Sequence, residues 1–239
     1  MSSFLSHPPI HQRMPNLEAV IFDMGGVFVP TRRLYNLYSA MSLYARSLGS
    51  VKQNPIDYLK TVHRLMHTLM LGQCIEEFSG GFAQETGIKV DDIRPHLLAS
   101  YEGISCLDPH MVLVVNLLKA KGIKIGLLSD TIRPHAVLFE ERGLYGLFKP
   151  NVFLSCDYSA VKPDPYFFDA ILLHFEMQGV ECIQRDGRFT SKVGSAENVA
   201  FVDDNKEFVE AFVARYGGHG VIHRSAGRTR ESLLSLLED

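Results

Sequence analysis

Polar residues with the potential for chemistry stand at the ends of three apolar runs and in one loop. Asp23 ends "EAVIFD" and leads into a Met-Gly-Gly turn, and Ser129 ends "GIKIGLLS". The pair Asp203-Asp204 ends "NVAFVDD", and Lys162 lies in "SAVKPDPYFF". A rigidly held carboxylate can attack phosphorus, further carboxylates can hold Mg²⁺, and a lysine can offset the charge of a phosphate. We therefore expect these residues to meet in one site for phosphoryl chemistry.

The apolar runs predict short buried strands, because they are rich in β-branched residues and end in polar clusters. The stretches concerned begin at residue 18 and occupy residues 122–131, 151–156 and 198–205. Segments with helical spacing lie between them, such as "DPHMVLVVNLLKAKG" and "PDPYFFDAILLHFEMQG". Alternating strands and helices predict an α/β fold with a doubly wound parallel sheet. Ligands of such sheets bind beyond the carboxyl ends of the strands, where the polar residues stand.

Residues 32–105 differ from the rest, because four helical stretches follow one another there without a convincing strand. The sequence thus predicts an α/β core of residues 17–31 and 106–239 that is interrupted by a helical insertion after the first strand. We expect residues 1–16 to form a flexible tail. Residues 177–197 are polar around an Asp-Gly pair, which predicts an exposed loop or a short hairpin.

The composition is that of an ordinary globular protein. Of 239 residues, 46% are hydrophobic and 21% charged, with a net charge of −3. This balance favours neither a nucleic-acid nor a membrane partner, and the apolar runs are shorter than the ~18 residues of a membrane span. We expect a cytoplasmic protein, monomeric or homodimeric. The four cysteines form no C-x-x-C pair, so we expect buried, reduced thiols.

The ordered set of Asp23, Ser129, Lys162 and the pair Asp203-Asp204 resembles the four motifs of the haloacid dehalogenase-like (HAD) hydrolase superfamily. Those motifs are an Asp nucleophile, a Ser or Thr, a Lys and an acidic pair. The resemblance extends from about residue 18 to 225, and the helical insertion stands where the family places its C1 cap.

The resemblance implies a mechanism and a cofactor. Asp23 would attack phosphorus to form an aspartyl-phosphate, Ser129 would donate a hydrogen bond to the phosphoryl group, and Lys162 would bind it electrostatically. Mg²⁺ would be held by Asp23, by the main-chain oxygen of Gly25 and by the acidic pair. Within the pair, the resemblance favours Asp203 over Asp204 as the ligand.

One position departs from the family pattern. Phosphatases of this superfamily have a second Asp two residues after the nucleophile, which protonates the leaving alkoxide, and here Gly25 takes its place. Losing such an acid typically costs 10²- to 10⁴-fold in rate. Gly25 and Gly26 permit a tight turn and bring main-chain groups close to an anion. Asp130 is a candidate replacement acid, because a carboxylate beside a phosphate has a raised pKa. The alternative is that Asp130 caps the helix that follows.

Two further pairs of residues allow two interpretations each. Arg32 and Arg33 follow the nucleophile turn and could contact an anionic substrate or lie in solvent. His63 and His67 are four residues apart on a predicted helix, which suits either a shared metal or, more often, a polar helix face.

The sequence therefore predicts a Mg²⁺-dependent phosphomonoester hydrolase for a small phosphorylated metabolite, with sugar phosphates among the candidates. Two alternatives remain open. One is a haloacid dehalogenase, in which the Asp displaces halide from carbon. The other is a non-catalytic phosphate-binding or regulatory protein that has lost its proton-transfer acid at Gly25.

Overall fold

The computed structural model describes most of the chain, namely residues 17–30, 33–49, 51, 53–99, 101, 103–180, 182–184, 192–193 and 196–237. The expected N-terminal tail, residues 1–16, and Arg32 lie outside these ranges. Among the helices within them, none is both long enough and apolar enough to cross a membrane.

A five-stranded parallel sheet forms the centre of the molecule, in the order β3-β2-β1-β6-β7. Its strands are β1 (Ala19–Phe22), β2 (Lys124–Ser129), β3 (Val152–Leu154), β6 (Val199–Asp203) and β7 (His219–Ile222). Two further strands, β4 (Ile183–Gln184) and β5 (Lys192–Val193), form a separate pair. Strands β1 and β6 are buried at every position, which explains their continuous apolar sequence. The four strands predicted from sequence are confirmed, and β7 joins them at the edge beside β6.

The described ranges contain ten helices. They are α1 (Arg33–Arg46), α2 (Pro55–Met70), α3 (Ile75–Thr86), α4 (Val90–Ala99), α5 (Pro109–Ala120), α6 (Arg133–Glu141), α7 (Ser155–Tyr158), α8 (Pro165–Met177), α9 (Lys206–Tyr216) and α10 (Ala226–Ser235). Apolar residues of α5, α6 and α10 cover one face of the sheet, and those of α8 and α9 cover the other. The doubly wound α/β fold is thereby confirmed.

Helices α5 and α8 begin in the same way. Asp108 accepts hydrogen bonds from the main-chain nitrogens of His110 and Met111, and Asp164 accepts one from Tyr166. A proline occupies the first turn in both helices. The carboxylate satisfies nitrogens that lack helical partners, and proline has no such hydrogen to satisfy. These two signals fix the residue at which each helix begins.

Helices α1 to α4 follow one another between β1 and β2, and we call residues 33–99 the helical insert. The insert has its own apolar cluster, built around Tyr58, Phe78 and Phe82. Asn54 caps α2 by accepting from two main-chain nitrogens. Ile132, from the loop between β2 and α6, packs into the same cluster. The insert therefore contacts the core at the loop that follows β2.

Two smaller expectations have different outcomes. Strands β4 and β5 pair antiparallel, so a short hairpin is present, although its turn residues 185–191 lie outside the described ranges. All four cysteines are free, but Cys74 and Cys106 are exposed, so the expectation of buried thiols is wrong for these two. Cys74 is exposed because it is the N-cap of α3, where its sulfur accepts from the nitrogen of Glu77.

Candidate active site

Asp23 stands directly after β1, at the middle of the sheet edge. Its main-chain nitrogen donates to the oxygen of Val202 in β6 at 2.9 Å, so sheet pairing continues up to this residue. The chain then turns back, with the nitrogen of Val29 bonded to the oxygen of Met24 at 3.2 Å. Gly26 has φ of 78°, in the left-handed region that favours glycine. This turn holds the Asp23 side chain in a fixed place. Asp23 is only 7% exposed.

Lys162 joins two carboxylates at this edge. Its Nζ donates to Oδ1 of Asp23 and to Oδ2 of Asp203, each at 2.7 Å. The lysine is 4% exposed and Asp203 is 1% exposed. The ring of Phe208, on the first turn of α9, lies 5.3 Å from Nζ. Removing one member of a buried charged set leaves the others unpaired, which is strongly unfavourable.

Three carboxylates form a compact oxygen cluster beside Lys162. Ligand atoms of Asp23, Asp203 and Asp204 all lie within 4.8 Å of one another. Asp203 is oriented by the main-chain nitrogen of Asn205, which donates to its Oδ1 at 2.8 Å, while Asn205 itself caps α9. Closely spaced carboxylate oxygens are the donors that hard divalent cations bind. The turn after β6 thus both starts a helix and supplies two acids to the site.

Burial dominates the electrostatics of the cluster. It raises the pKa of Asp23 to about 7, with a smaller rise from Asp203, although Lys162 acts in the opposite direction. Burial alone would lower the pKa of Lys162, but the two carboxylates raise it above the usual range of a lysine. Four carboxyl groups, those of Asp23, Asp130, Asp203 and Asp204, face one lysine on the described lining of the site. An anion therefore needs further positive charge to bind there.

Asp130 links the end of β2 to the Lys162 loop. Its Oδ1 accepts a hydrogen bond from the main-chain nitrogen of Lys162 at 3.0 Å. The N-cap of α6 is Ile132, and it makes no side-chain capping bond, so the capping alternative for Asp130 does not hold. Burial raises the pKa of Asp130, although Lys162 opposes the rise. The residue therefore fixes the backbone that carries the lysine.

A cavity of about 770 Å³ opens between these residues and the helical insert. Its polar floor comes from the core and comprises Asp23, Gly25, Asp130, Lys162, Asp203, Asp204 and Asn205. Ser129 and Gly26 are not among the described residues that line it. Ser129 is buried as the last residue of β2, and the nitrogen of Gly26 donates to the oxygen of Val29. The substrate contacts expected of these two residues stay predictions.

The walls of the cavity contain residues that sequence reasoning did not select. Tyr58, Val62, Met66 and Met70 line it from α2, at intervals of four residues. That interval places them on one helix face, and it is the signal that the sequence contained. The hydroxyl of Tyr58 is buried and has no hydrogen-bond partner among the described residues.

The two histidines of α2 are exposed, as a polar helix face requires. His63 lines the cavity, whereas His67 is not among the described lining residues. Within the described part of the chain, the cluster suited to a metal consists of the three carboxylates and includes neither histidine.

Arg33 begins α1, and the contact predicted for Arg32 lies outside the described residues.

His135 connects the core to the insert at the cavity. It is 6% exposed, its ring nitrogen Nε2 bonds the main-chain oxygen of Leu97 in α4, and its ring lies 4.1 Å from that of Tyr101. Burial lowers the pKa of His135 to about 4. The imidazole is therefore neutral at pH 7.

Comparisons with known proteins agree with this architecture. A family model described as haloacid dehalogenase-like hydrolase matches residues 17–214. A HAD family enzyme from Bacteroides thetaiotaomicron has a TM-score of 0.63 at 16% identity, with 92% of this chain and 98% of that chain covered. A predicted HAD-like family hydrolase from Porphyromonas gingivalis has a TM-score of 0.62 at 18% identity, with 94% and 99% covered.

The Bacteroides enzyme was also solved in complex with magnesium and inorganic phosphate, and that structure has a TM-score of 0.57 at 17% identity, with 88% of this chain and 96% of that chain covered. At such identities the likeness concerns the fold alone. No curated protein matches the chain. The family model, however, covers most of the sequence, from the strand before Asp23 into α9. The chain therefore belongs to the haloacid dehalogenase-like hydrolase family.

Proposed function

We propose that the protein is a Mg²⁺-dependent phosphomonoester hydrolase with Asp23 as its nucleophile. The observation that carries this proposal is the position of Lys162 Nζ, 2.7 Å from carboxylate oxygens of both Asp23 and Asp203. Such a cation fixes the nucleophile and contributes positive charge where a phosphoryl group would bind. Asp204 completes the acidic cluster next to it.

The acidic residues fit a magnesium ion. Asp23, Asp203 and Asp204 offer hard oxygen atoms within 4.8 Å of one another, and the main-chain oxygen of Gly25 is a further ligand in this proposal. A bound Mg²⁺ would supply the positive charge that the floor lacks and would polarise the phosphoryl oxygens. The magnesium and phosphate in the Bacteroides structure support this choice of ion.

The proposed reaction has two displacements at phosphorus. Asp23 attacks the phosphoryl group, an aspartyl-phosphate forms, and the ester oxygen leaves with a proton. Water then attacks the aspartyl-phosphate, which releases phosphate and restores the carboxylate. Ser129 orients the phosphoryl group, and Asp130 supplies the proton to the leaving oxygen, because its raised pKa suits a general acid.

The helical insert acts as the cap of this active site in our proposal, within the boundaries 32–105 for the cap and 17–31 and 106–239 for the core. All four of its described helices, α1 to α4, supply side chains to the cavity above the acidic cluster. A cap in this position excludes bulk water from the phosphoryl group and contacts the leaving group.

Substitution of the nucleophile tests the proposed function. We expect Asp23→Asn to lower phosphate release from phosphate monoesters by at least about 10³-fold, because an amide does not form the intermediate. Release would be measured with and without Mg²⁺ over a panel of alkyl, sugar and aryl phosphates. Asp91→Asn, which changes an exposed carboxylate on α4, is the matched control.

Three results would contradict the proposal in different ways. Equal release by wild type and Asp23→Asn would exclude Asp23 as the nucleophile. Halide release from haloacids without Mg²⁺, in the absence of phosphate release, would favour the dehalogenase. Binding of Mg²⁺ and phosphate without turnover of any ester would favour the non-catalytic protein.

A further inference from the structure

The part of the cavity wall that the helical insert supplies is largely apolar. It includes Leu59, Val62, Met66 and Met70 from α2, Phe82 from α3 and Leu97 from α4. Val62, Met66, Met70 and Leu97 are half-buried, so solvent-sized molecules reach them from the cavity. This wall faces the carboxylate floor across a single continuous space.

The polar groups of the wall offer little to a ligand. His63 is an exposed polar side chain on this wall. Tyr58, in contrast, is fully buried at 0% exposure, and His135 is neutral and already bonded to the oxygen of Leu97. Among the described lining residues, Lys162 is the one lysine or arginine, and its Nζ is bonded to Asp23 and Asp203. A sugar would leave several hydroxyl groups unpaired against this wall, and a second anionic group would find no other lysine or arginine among the described lining residues.

The cavity is also much larger than a phosphate ion. Liquid water occupies about 30 Å³ per molecule, so the space of about 770 Å³ corresponds to on the order of 25 water molecules. Met66 and Met70 add adaptability, because an unbranched thioether changes rotamer readily and fits different apolar shapes. The space above the floor therefore accommodates a leaving group much larger than the phosphate itself.

We propose that the leaving group of the substrate is an uncharged, largely apolar alcohol or phenol that binds against α2, α3 and α4. The substrate class is thus an alkyl or aryl phosphate monoester. Water supplies the new oxygen of the released phosphate, and the alcohol leaves with a proton. The inference rests on the proposed function and narrows it, since it places sugar phosphates, which the sequence left among the candidates, outside the preferred class.

A homologous series of substrates tests the inference directly. Ethyl, butyl and hexyl phosphate have leaving groups of similar basicity, so the chemical step stays constant while the apolar surface grows. With saturating Mg²⁺ we expect kcat/KM to rise by up to about fourfold for each added methylene. Glycerol phosphate and glucose 6-phosphate should be used less efficiently than butyl phosphate.

The outcomes separate this inference from the proposed function. Phosphate release that is independent of chain length, or that is fastest with glycerol phosphate or glucose 6-phosphate, overturns the inference and leaves the phosphatase intact. Absence of release from every ester overturns both. Alkylphosphonates, whose C–P bond survives phosphatases, provide a binding readout: with Mg²⁺ present, hexylphosphonate should raise Tm more than methylphosphonate does, and an equal shift overturns the inference.

A pair of matched variants locates the apolar site. Val62→Thr places a hydroxyl in the wall at nearly constant volume, and we expect it to lower the ratio of kcat/KM for hexyl over ethyl phosphate by roughly 2- to 30-fold. Ile56→Thr is the control, because Ile56 lies on the same helix, is 67% exposed and does not line the cavity. The ratio of the two kcat/KM values does not change when part of a variant is unfolded, because both values scale with the same concentration of folded enzyme. An unchanged ratio in Val62→Thr would overturn the assignment.

Discussion

At the scale of single residues, Gly25 is the position that distinguishes this chain from phosphatases with two acids. A Cβ built on Gly25 would lie 3.8 Å from Oδ2 of Asp23, which is an ordinary contact. Gly26, and not Gly25, has the positive φ that requires glycine. The backbone would therefore accept a side chain at Gly25. The absence of an acid there is a chemical difference and is not imposed by sterics.

Asp130→Asn tests the proposed replacement acid. The amide keeps an oxygen that can accept from the nitrogen of Lys162, so the loop stays in place while the acidic proton is lost. We expect hydrolysis of an alkyl phosphate to fall by about 10²- to 10⁴-fold. Hydrolysis of a nitrophenyl phosphate, whose leaving group needs no proton, should change far less. Equal losses for both esters would instead show that Asp130 acts by positioning Lys162.

Gly25→Asp provides the complementary gain of function. In the Asp130→Asn background, we expect this change to restore alkyl phosphate hydrolysis by at least about 10-fold, because it returns an acid next to the nucleophile. The Gly25→Ala change in the same background is the matched control, since it adds a Cβ without an acid. The measurement is the rate of hydrolysis of alkyl and nitrophenyl phosphates by the two double variants. Equal rates in the two double variants would contradict the prediction.

At the scale of elements, the sequence predicted the strands and helices whose signals are local. The Asp-Pro starts of α5 and α8 and the apolar runs of β1, β2 and β6 are such signals. Strand β7 was missed because "HGVI" is short and contains Gly220. A Cβ at Gly220 would lie 2.6 Å from Cγ1 of Val209 in α9. The glycine that weakens the strand pattern is thus needed for close helix packing, which is a tertiary requirement.

The same close approach occurs between β2 and α8, where it allows a stability test. A Cβ at Gly126 would lie 2.8 Å from both Cδ1 of Ile171 and Cζ of Phe175, which are fully buried. We expect Gly126→Ala to lower the free energy of unfolding by about 1–3 kcal/mol through overpacking. Gly80→Ala in α3 meets no atom within 4 Å and should raise it by about 0.5–1 kcal/mol. Urea unfolding of wild type and both variants would measure these changes in free energy. Equal midpoints for the two variants would contradict the prediction.

At the scale of the whole molecule, the floor of the site was predictable and its walls were not. Asp23, Asp203 and Asp204 lie at the carboxyl ends of strands of one parallel sheet, so their meeting at one edge follows from topology. The stripe that includes Val62 and Met66 has the spacing of any buried helix face. Whether such a stripe packs in a core or lines a cavity depends on how the insert docks on the core, and helical periodicity is the same in both cases.

The docking of the insert includes a buried histidine, and this makes stability depend on pH. His135, in α6, bonds the oxygen of Leu97 in α4, and burial lowers its pKa to about 4, whereas an unfolded histidine titrates near 6.5. Between these two values the unfolded chain binds more protons than the folded protein at this residue. The free energy of unfolding therefore rises with pH across this window, is fully developed above about pH 6.5, and decreases as the pH falls toward 4.

Replacement of His135 by glutamine removes this titration while keeping a donor for the oxygen of Leu97. Between pH 7 and pH 4, we expect wild type to lose about 3 kcal/mol more unfolding free energy than His135→Gln, from a shift of about 2.5 units at 1.36 kcal/mol each. Urea unfolding at half-unit pH intervals would measure the difference. His110→Gln, an exposed histidine on α5, controls for removal of a histidine as such. If wild type and His135→Gln lost stability in parallel, the contact between α6 and α4 would not depend on a neutral imidazole, and the apolar packing of Ile132 against the insert would be the better explanation of that contact.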